Sequence, residues 1–467
     1  MLEKKQYEKS VLVDQKEQKQ NEDDENDFHQ HLSKFSCLMI GIGGLVGGGI
    51  FSVIGAITEY TGPYTYLSYL ITGIITLFTV YSYHKLNSKW CNPGGEFTCI
   101  QEALSSSNLR ELGKFAGLLI YFGYIATMAL YAYTFSVYFI YLFNLEFNFM
   151  LISFIVIIIF IFITILNLKG VKESSRLQNI LVISILLILS LFITSGLLYS
   201  FGNTELFLQN EGFDIASLSH MNFLGILLGS ASIIISYEGF QLIAYGSHEM
   251  KDREKGLSMM KWSLVVSIIV YILTAISSMA ILGVSGILNQ GGHLKEVSIA
   301  VAAEKALGII GLISVIVCAL LATLSAMNAT IIGSSRLAYK MAKDKLIPSK
   351  LSKMSKNKVP YNSIILTSVL GVLLTIFTGG ALAIAGVAGL IFAQIFFIIN
   401  FSNYKARKAT NSNTIFPLIG MAGTSLLFMV LFLYSIINIR KEVFSLTAFF
   451  LIEISIFIFL YRYRNKT

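Results

Sequence analysis

Twelve apolar runs, each close to the roughly 20 residues that a bilayer-crossing helix needs, constrain this chain more than any other feature. They cover approximately 35–58, 62–84, 115–142, 149–168, 177–200, 221–246, 262–286, 306–338, 362–379, 381–402, 414–438 and 443–461. In hydrocarbon no water satisfies a peptide group, so each run is expected to close its own hydrogen bonds as a helix. The composition agrees: 55% hydrophobic residues, 13% charged residues and a mean hydropathy of +0.69 over 467 residues lie far outside the soluble range. The expected fold class is an all-α polytopic membrane protein with about 12 transmembrane helices.

Little remains for a soluble domain. The one long polar stretch, 1–34, is rich in Lys, Gln, Asp and Glu and is expected to be a disordered cytoplasmic tail. Residues 35–402 are then expected to form the transmembrane core of helices 1–10, and 403–467 helices 11–12 with a short cytoplasmic C-terminus. No short apolar core with a small-residue cleavage site precedes Phe35, so the first run is kept as a span rather than a signal. Cys91 and Cys99 sit in a polar loop, Cys37 and Cys318 in apolar runs, and all four are expected to be free thiols. The 6 histidines show no HExxH-type spacing, so neither a metal nor a cofactor is expected.

Twelve spans put both termini on one side of the bilayer. With the N-terminus inside, all of the 35 Lys and Arg residues except Lys295, Lys305, Arg440 and Lys441 fall on the cytoplasmic side. Positive charge resists translocation, so both termini are expected to face the cytoplasm across the cell membrane. The same loops account for the net charge of +8. "KMAKDKLIPSKLSKMSKNK" (340–358) is one such connection without interleaved aromatics, so no nucleic-acid partner is expected.

The first span opens "GIGGLVGGGIFSVIGAI" (41–57), with Gly41, Gly43, Gly44, Gly47, Gly48 and Gly49 near mid-membrane. Small residues let helices approach closely, but this cluster is denser than packing needs and marks a helix break. A break at that depth must face a cavity or ligand, and it aims the positive end of its second half there, which suits a carboxylate. An inverted repeat would place a second break five spans later, where "LGSASIIISYEGFQLIAYGSHEMK" carries Glu238. An acid at mid-membrane costs on the order of 2.5–3.5 kcal/mol, so it normally faces the interior and has a task. Glu453, in the last span, lies outside the repeat pair and is expected to have a structural or interface role.

These residues resemble the amino acid–polyamine–organocation superfamily of permeases. The pattern G-x-G-x-x-x-G-x-G-I-F is matched by Gly41, Gly43, Gly47, Gly49, Ile50 and Phe51. "NPGGEFTCIQEAL" (92–104) resembles the family's P-x-x-G-G-x-Y-x-Y loop, with Cys91 and Cys99 where a proline and the second aromatic are usual. "LKGVKESSRLQN" (168–179) resembles the start of its fifth span, and "YEGFQLIAYGSHEMKDREK" (237–255) its sixth span and cap. "LSAMNATIIGSSRLAYKMAKDKLIP" (324–348) is similar to its eighth span and loop.

The resemblance implies a LeuT-type 5+5 inverted repeat with broken helices 1 and 6 plus two extra C-terminal helices. It further implies a secondary transporter carrying small-molecule amino acids by alternating access. Backbone N–H groups of Gly48 and Gly49 would hold the substrate carboxylate, and carbonyls of Leu45, Ile235 and Glu238 its amine. Thr127, Met128, Tyr237 and Ala385 would contribute to side-chain selectivity. Ile185, with Ser184 beside it, stands where some members place a coupling lysine, leaving Glu238, Ser184 and Gln241 as coupling or gating candidates. Glu238 is open to three roles: carrying a coupling proton, binding a cationic substrate, or satisfying stray backbone groups while protonated. Proton coupling and exchange remain alternatives, as do a polyamine substrate and a non-transporting sensor on the same scaffold.

Overall fold

The computed structural model describes residues 33–90, 95–105, 109–169, 175–202, 222–245, 250, 252–355 and 359–464. The expected disordered tail therefore lies almost wholly outside the described residues, as do Cys91 and the quoted motif segments 92–94, 170–174 and 246–249. The regular elements are helices. Span one is α1 (Lys34–Leu45) and α2 (Gly48–Thr61), followed by α3 (Thr65–Lys89), the short α4 (Gly95–Leu104) and α5 (Arg110–Leu142). Next come α6 (Phe149–Leu168), α7 (Ser175–Gly202), α8 (Phe223–Ser232) and, after a 3-10 turn at Ile233–Tyr237, the single-turn α9 (Leu242–Tyr245). The chain continues through α10 (Arg253–Leu288), α11 (Ser298–Lys343), α12 (Tyr361–Thr378), α13 (Ala381–Lys405), α14 (Ile415–Ile437) and α15 (Ile439–Arg464).

Among the described residues eleven helical stretches are long and apolar enough to cross a membrane, and the first, Lys34–Lys89, contains both the first and second spans. The chain is thus an all-α polytopic membrane protein of about twelve spans. Several helices exceed the bilayer. The 33 residues of α5 extend to roughly 50 Å at 1.5 Å per residue, so α5 tilts or projects. α11 runs 46 residues because a non-helical Gly308 (φ 65) joins a short outer segment to the span expected at 306–338.

Amphipathicity is replaced here by an inside-out gradient of contact. α1, α2, α5, α8 and α13 are enclosed by protein, whereas α6, α7, α14 and α15 present Phe154, Ile161, Leu187, Leu191, Met429 and Phe457 outward. In water that surface would drive aggregation; in lipid it carries no penalty. Many buried hydroxyls bond within their own helix, as Thr134 does to Leu130 O at 2.8 Å. Others stitch helices together. Ser68 and Thr72 on α3 donate to Ile226 O and Ser230 O of α8, each at 2.8 Å. Glu453 accepts from Gln394 Nε2 at 3.0 Å, tying α15 to α13, a contact in keeping with the interface role expected of it.

Candidate functional site

The two breaks are real interruptions, and they touch. In span one, helical geometry ends at Leu45, Val46 (φ −79, ψ 80) and Gly47 (φ −130, ψ −146) are irregular, and α2 restarts at Gly48. In span six the chain turns extended at Glu238 (φ −85, ψ 143) and then takes a positive φ of 129° at Gly239. A Cβ on Gly239 would lie 2.7 Å from Leu45 N and closer still to the Gly44 carbonyl. One on Gly49 would stand 2.6 Å from Ser236 Oγ, and one on Gly47 2.7 Å from the Tyr131 ring. The glycine density of span one thus has a physical cause: successive glycines meet different neighbours across the break, and Gly239 also needs the conformation that glycine alone adopts freely.

Peptide groups freed by the breaks are met by tyrosines. The Tyr271 hydroxyl donates to Leu45 O at 2.5 Å and lies 2.9 Å from Ser236 O, bridging both interruptions from α10. Tyr131 on α5 donates to Gly44 O at 3.1 Å, and Tyr237 to Tyr69 O at 2.7 Å. Of the carbonyls expected to receive a substrate amine, Leu45 O is therefore taken by Tyr271, and Ile235 O accepts from Glu238 N at 3.1 Å. Neither Tyr131 nor Tyr271 was singled out from the sequence.

Glu238 is 1% exposed. Its Oε1 accepts from Gln241 Nε2 at 2.7 Å, and Gln241 Oε1 accepts from Gly239 N at 2.9 Å, so Gln241 braces the break. The Thr127 hydroxyl faces the same carboxyl, while Glu238 Oε2 is buried with no hydrogen-bond partner among the described residues. A buried, half-satisfied carboxyl is costly unless it holds a proton or meets a ligand. Leu45, Gly48, Gly49, Ile235, Tyr237 and Glu238 all lie at the breaks, with Thr127 and Met128 buried on α5 and Ala385 on α13. Ser184 is half-buried on α7. The same helix meets span one through Asn179, which donates to Ser36 Oγ at 3.3 Å, and through Gln178, which accepts from Ser325 Oγ at 2.9 Å and would obstruct any Cβ on Gly43.

Two further polar clusters flank the breaks. On the membrane face that carries α4, Glu96 is buried beneath span six, which corrects the expectation of a polar loop there; Cys99 of the same helix is buried and donates to Trp90 O at 3.0 Å. Cys37, Cys99 and Cys318 are free thiols. On the opposite face, Tyr133 lies 2.7 Å from Glu296 Oε2 and 2.8 Å from His293 Nδ1, and Glu296 Oε1 accepts from Ala381 N at 3.1 Å. A cavity of about 150 Å³ opens there, lined in part by Tyr133, His293, Ser153 and Thr375. Among the described residues no group of three or more His, Cys, Asp or Glu side chains could hold a metal.

Comparison with known proteins bears on this geometry. The chain is 28% identical to an uncharacterised protein of Methanocaldococcus jannaschii over 94% of its own length and 97% of that protein's. It is 25% identical to the branched-chain amino acid permease BcaP of Bacillus subtilis, covering 72% of each chain. A methylthioribose transporter of Bacillus subtilis is likewise 25% identical, over 72% of this chain and 73% of that one. The model of the amino acid permease family matches residues 32–460, nearly the whole chain, and with its paired broken spans this protein belongs to that family, as a secondary amino acid transporter.

Proposed function

We propose that the two breaks form the substrate site and that Glu238 carries the coupling proton. The observation behind this is the meeting of three things at one depth. They are the N-terminus of α2 at Gly48 and Gly49, the unwound carbonyls at Leu45 and Ser236, and the free oxygen of Glu238. A zwitterionic amino acid matches that set: its carboxylate takes the helix N-terminus, and its ammonium takes the second lone pairs of the two carbonyls that Tyr271 already meets. Thr127, Met128, Tyr237 and Ala385 then border its side chain. In the arrangement seen here not even a Cβ on Gly49 would clear Ser236, so admitting a substrate requires spans one and six to part. That is alternating access, with both termini in the cytoplasm and the chain in the cell membrane, as the Lys and Arg distribution supports.

The free Glu238 oxygen also favours a cationic amine as substrate. Counterflow in proteoliposomes, run over the standard amino acids and over putrescine and spermidine, separates the two. L-leucine is the first probe, because a relative is named a branched-chain amino acid permease. Label accumulating for neutral amino acids supports the proposal, and accumulation for polyamines alone removes it. Glu238→Gln should then keep counterflow measurable but lose accumulation driven by a pH gradient.

A further inference from the structure

Glu96 has no part in the function proposed above, yet it is an acid buried to 2% exposure. Its two oxygens accept from the hydroxyls of Tyr83 on span two and Tyr124 on span three, the latter at 2.8 Å. Tyr124 Oη lies 3.4 Å from Tyr245 Oη, which belongs to α9, the second half of span six. One turn along α5 from Tyr124 stands Thr127, facing Glu238, and the Glu96 charge acts on Glu238. Thr127 and Tyr124, one turn apart on α5, thus stand between the mid-membrane acid and Glu96 on α4.

Among the described residues, the groups that act on Glu96 are phenols rather than cations. Facing it are Tyr83 from α3, Tyr124 from α5, Tyr245 from α9 and Cys99 from its own helix; α13 contributes the Phe396 ring against Tyr83. Structural buried carboxylates are normally paired with Lys or Arg. Here burial pushes Glu96 up to about 7, with the Tyr83 and Tyr124 hydrogen bonds pulling the other way. The group therefore fills and empties near neutral pH, and two nearby buried carboxyls favour holding one proton between them.

We propose that Glu96 is the second proton-carrying group of this transporter, taking the coupling proton from Glu238 and releasing it at the α4 face. The inference rests on Glu238 carrying that proton. In the transfer the Glu238 acid becomes a carboxylate and the Glu96 carboxylate becomes an acid. The Tyr124 and Tyr245 hydroxyls, or water entering as spans one and six part, each gain one proton as they pass one on. Glu96 then loses its proton to water, so one proton crosses with each substrate and no other reactant is consumed.

The test uses the full-length protein in proteoliposomes with L-leucine, or whichever amino acid gives the strongest wild-type counterflow. The readouts are the ratio of pH-gradient-driven accumulation to counterflow, and the internal acidification reported by a trapped dye. Glu96→Gln should lower both by about tenfold or more, and Glu96→Asp, which keeps a titratable group, should restore most of the loss. An unchanged ratio in Glu96→Gln overturns the proposal, as does a loss that Asp fails to restore. If Glu96→Gln shows no counterflow at all, Glu96→Asp decides alone: coupling kept supports the relay, and coupling lost refutes it. Glu238→Gln is measured alongside. Coupling that survives in Glu238→Gln removes the underlying function assignment; coupling lost there but intact in Glu96→Gln removes only the relay.

Discussion

Gly239→Ala strikes the contact between the two breaks. The new Cβ would sit 2.7 Å from Leu45 N and closer to the Gly44 carbonyl, where ordinary contact begins at 3.4 Å. Every one of these atoms is backbone, so no side chain can swing aside. Forcing a non-glycine residue to a φ of 129° adds strain of its own. Such strain costs roughly 1–3 kcal/mol and overpacking a further ~1–3 kcal/mol. Even at the low end, ~2 kcal/mol against the closed arrangement corresponds to about a 30-fold loss in any step passing through it. The assay is counterflow at matched protein incorporation, with Gly380→Ala as reference, since a Cβ there meets nothing within 4 Å. Gly239→Ala transporting within about twofold of wild type, with Gly380→Ala also normal, would refute the contact as a functional constraint.

Other outcomes follow from the same geometry. Tyr271→Phe leaves the Leu45 and Ser236 carbonyls without the hydroxyl that bridges them, each worth ~1–3 kcal/mol when buried and unmade. Transport should fall at least about tenfold and thermal stability in detergent should drop; a fully active Tyr271→Phe would show that the bridge is incidental. Burial raises the Cys99 thiol well above its ordinary value, so native protein should label slowly with maleimide at that peptide even near pH ~9, and quickly once denatured. Rapid native labelling would contradict the packing of α4. Glu296→Ala strands the Ala381 N–H and leaves the Tyr133 hydroxyl with His293 alone, and should destabilise by about 1–3 kcal/mol, read as a lower melting temperature that Glu296→Gln partly recovers. For wild type, proton-driven uptake should rise as internal pH climbs past about 7, where Glu96 is increasingly deprotonated and ready to accept, and should decline as internal pH falls below it.

The spans, the depth of the glycine cluster and the isolation of Glu238 could all be read in one dimension, because hydropathy, helix breaking and charge desolvation act on local segments. α4 was missed although its signal was present: Phe97, Ile100 and Leu104 recur at helical spacing inside a segment whose polar residues look loop-like. Glu96 was passed over with it. The tyrosines at the breaks gave no such signal. Tyr131 and Tyr271 are two among 23 tyrosines, and their partners at Gly44 and Leu45 lie 87 and 226 positions away. What completes a broken helix is supplied by tertiary proximity, and a single sequence does not encode that in any local pattern.

The seam between α3 and α8 gives span six two unlike halves. Ser68 and Thr72, one turn apart, fasten the backbone of α8 at two points, which resists sliding and rotation together. Past Gly239 the described residues form the helical turn Leu242–Tyr245, leaning on Tyr124. Span six is therefore a stiff arm fixed to its neighbour and a door hung on one glycine. A cycle built this way needs to remake only the contacts of the door. Its rate should follow changes at the latch formed by Tyr124 and Tyr245, and should be indifferent to conservative changes along the outer faces of the arm.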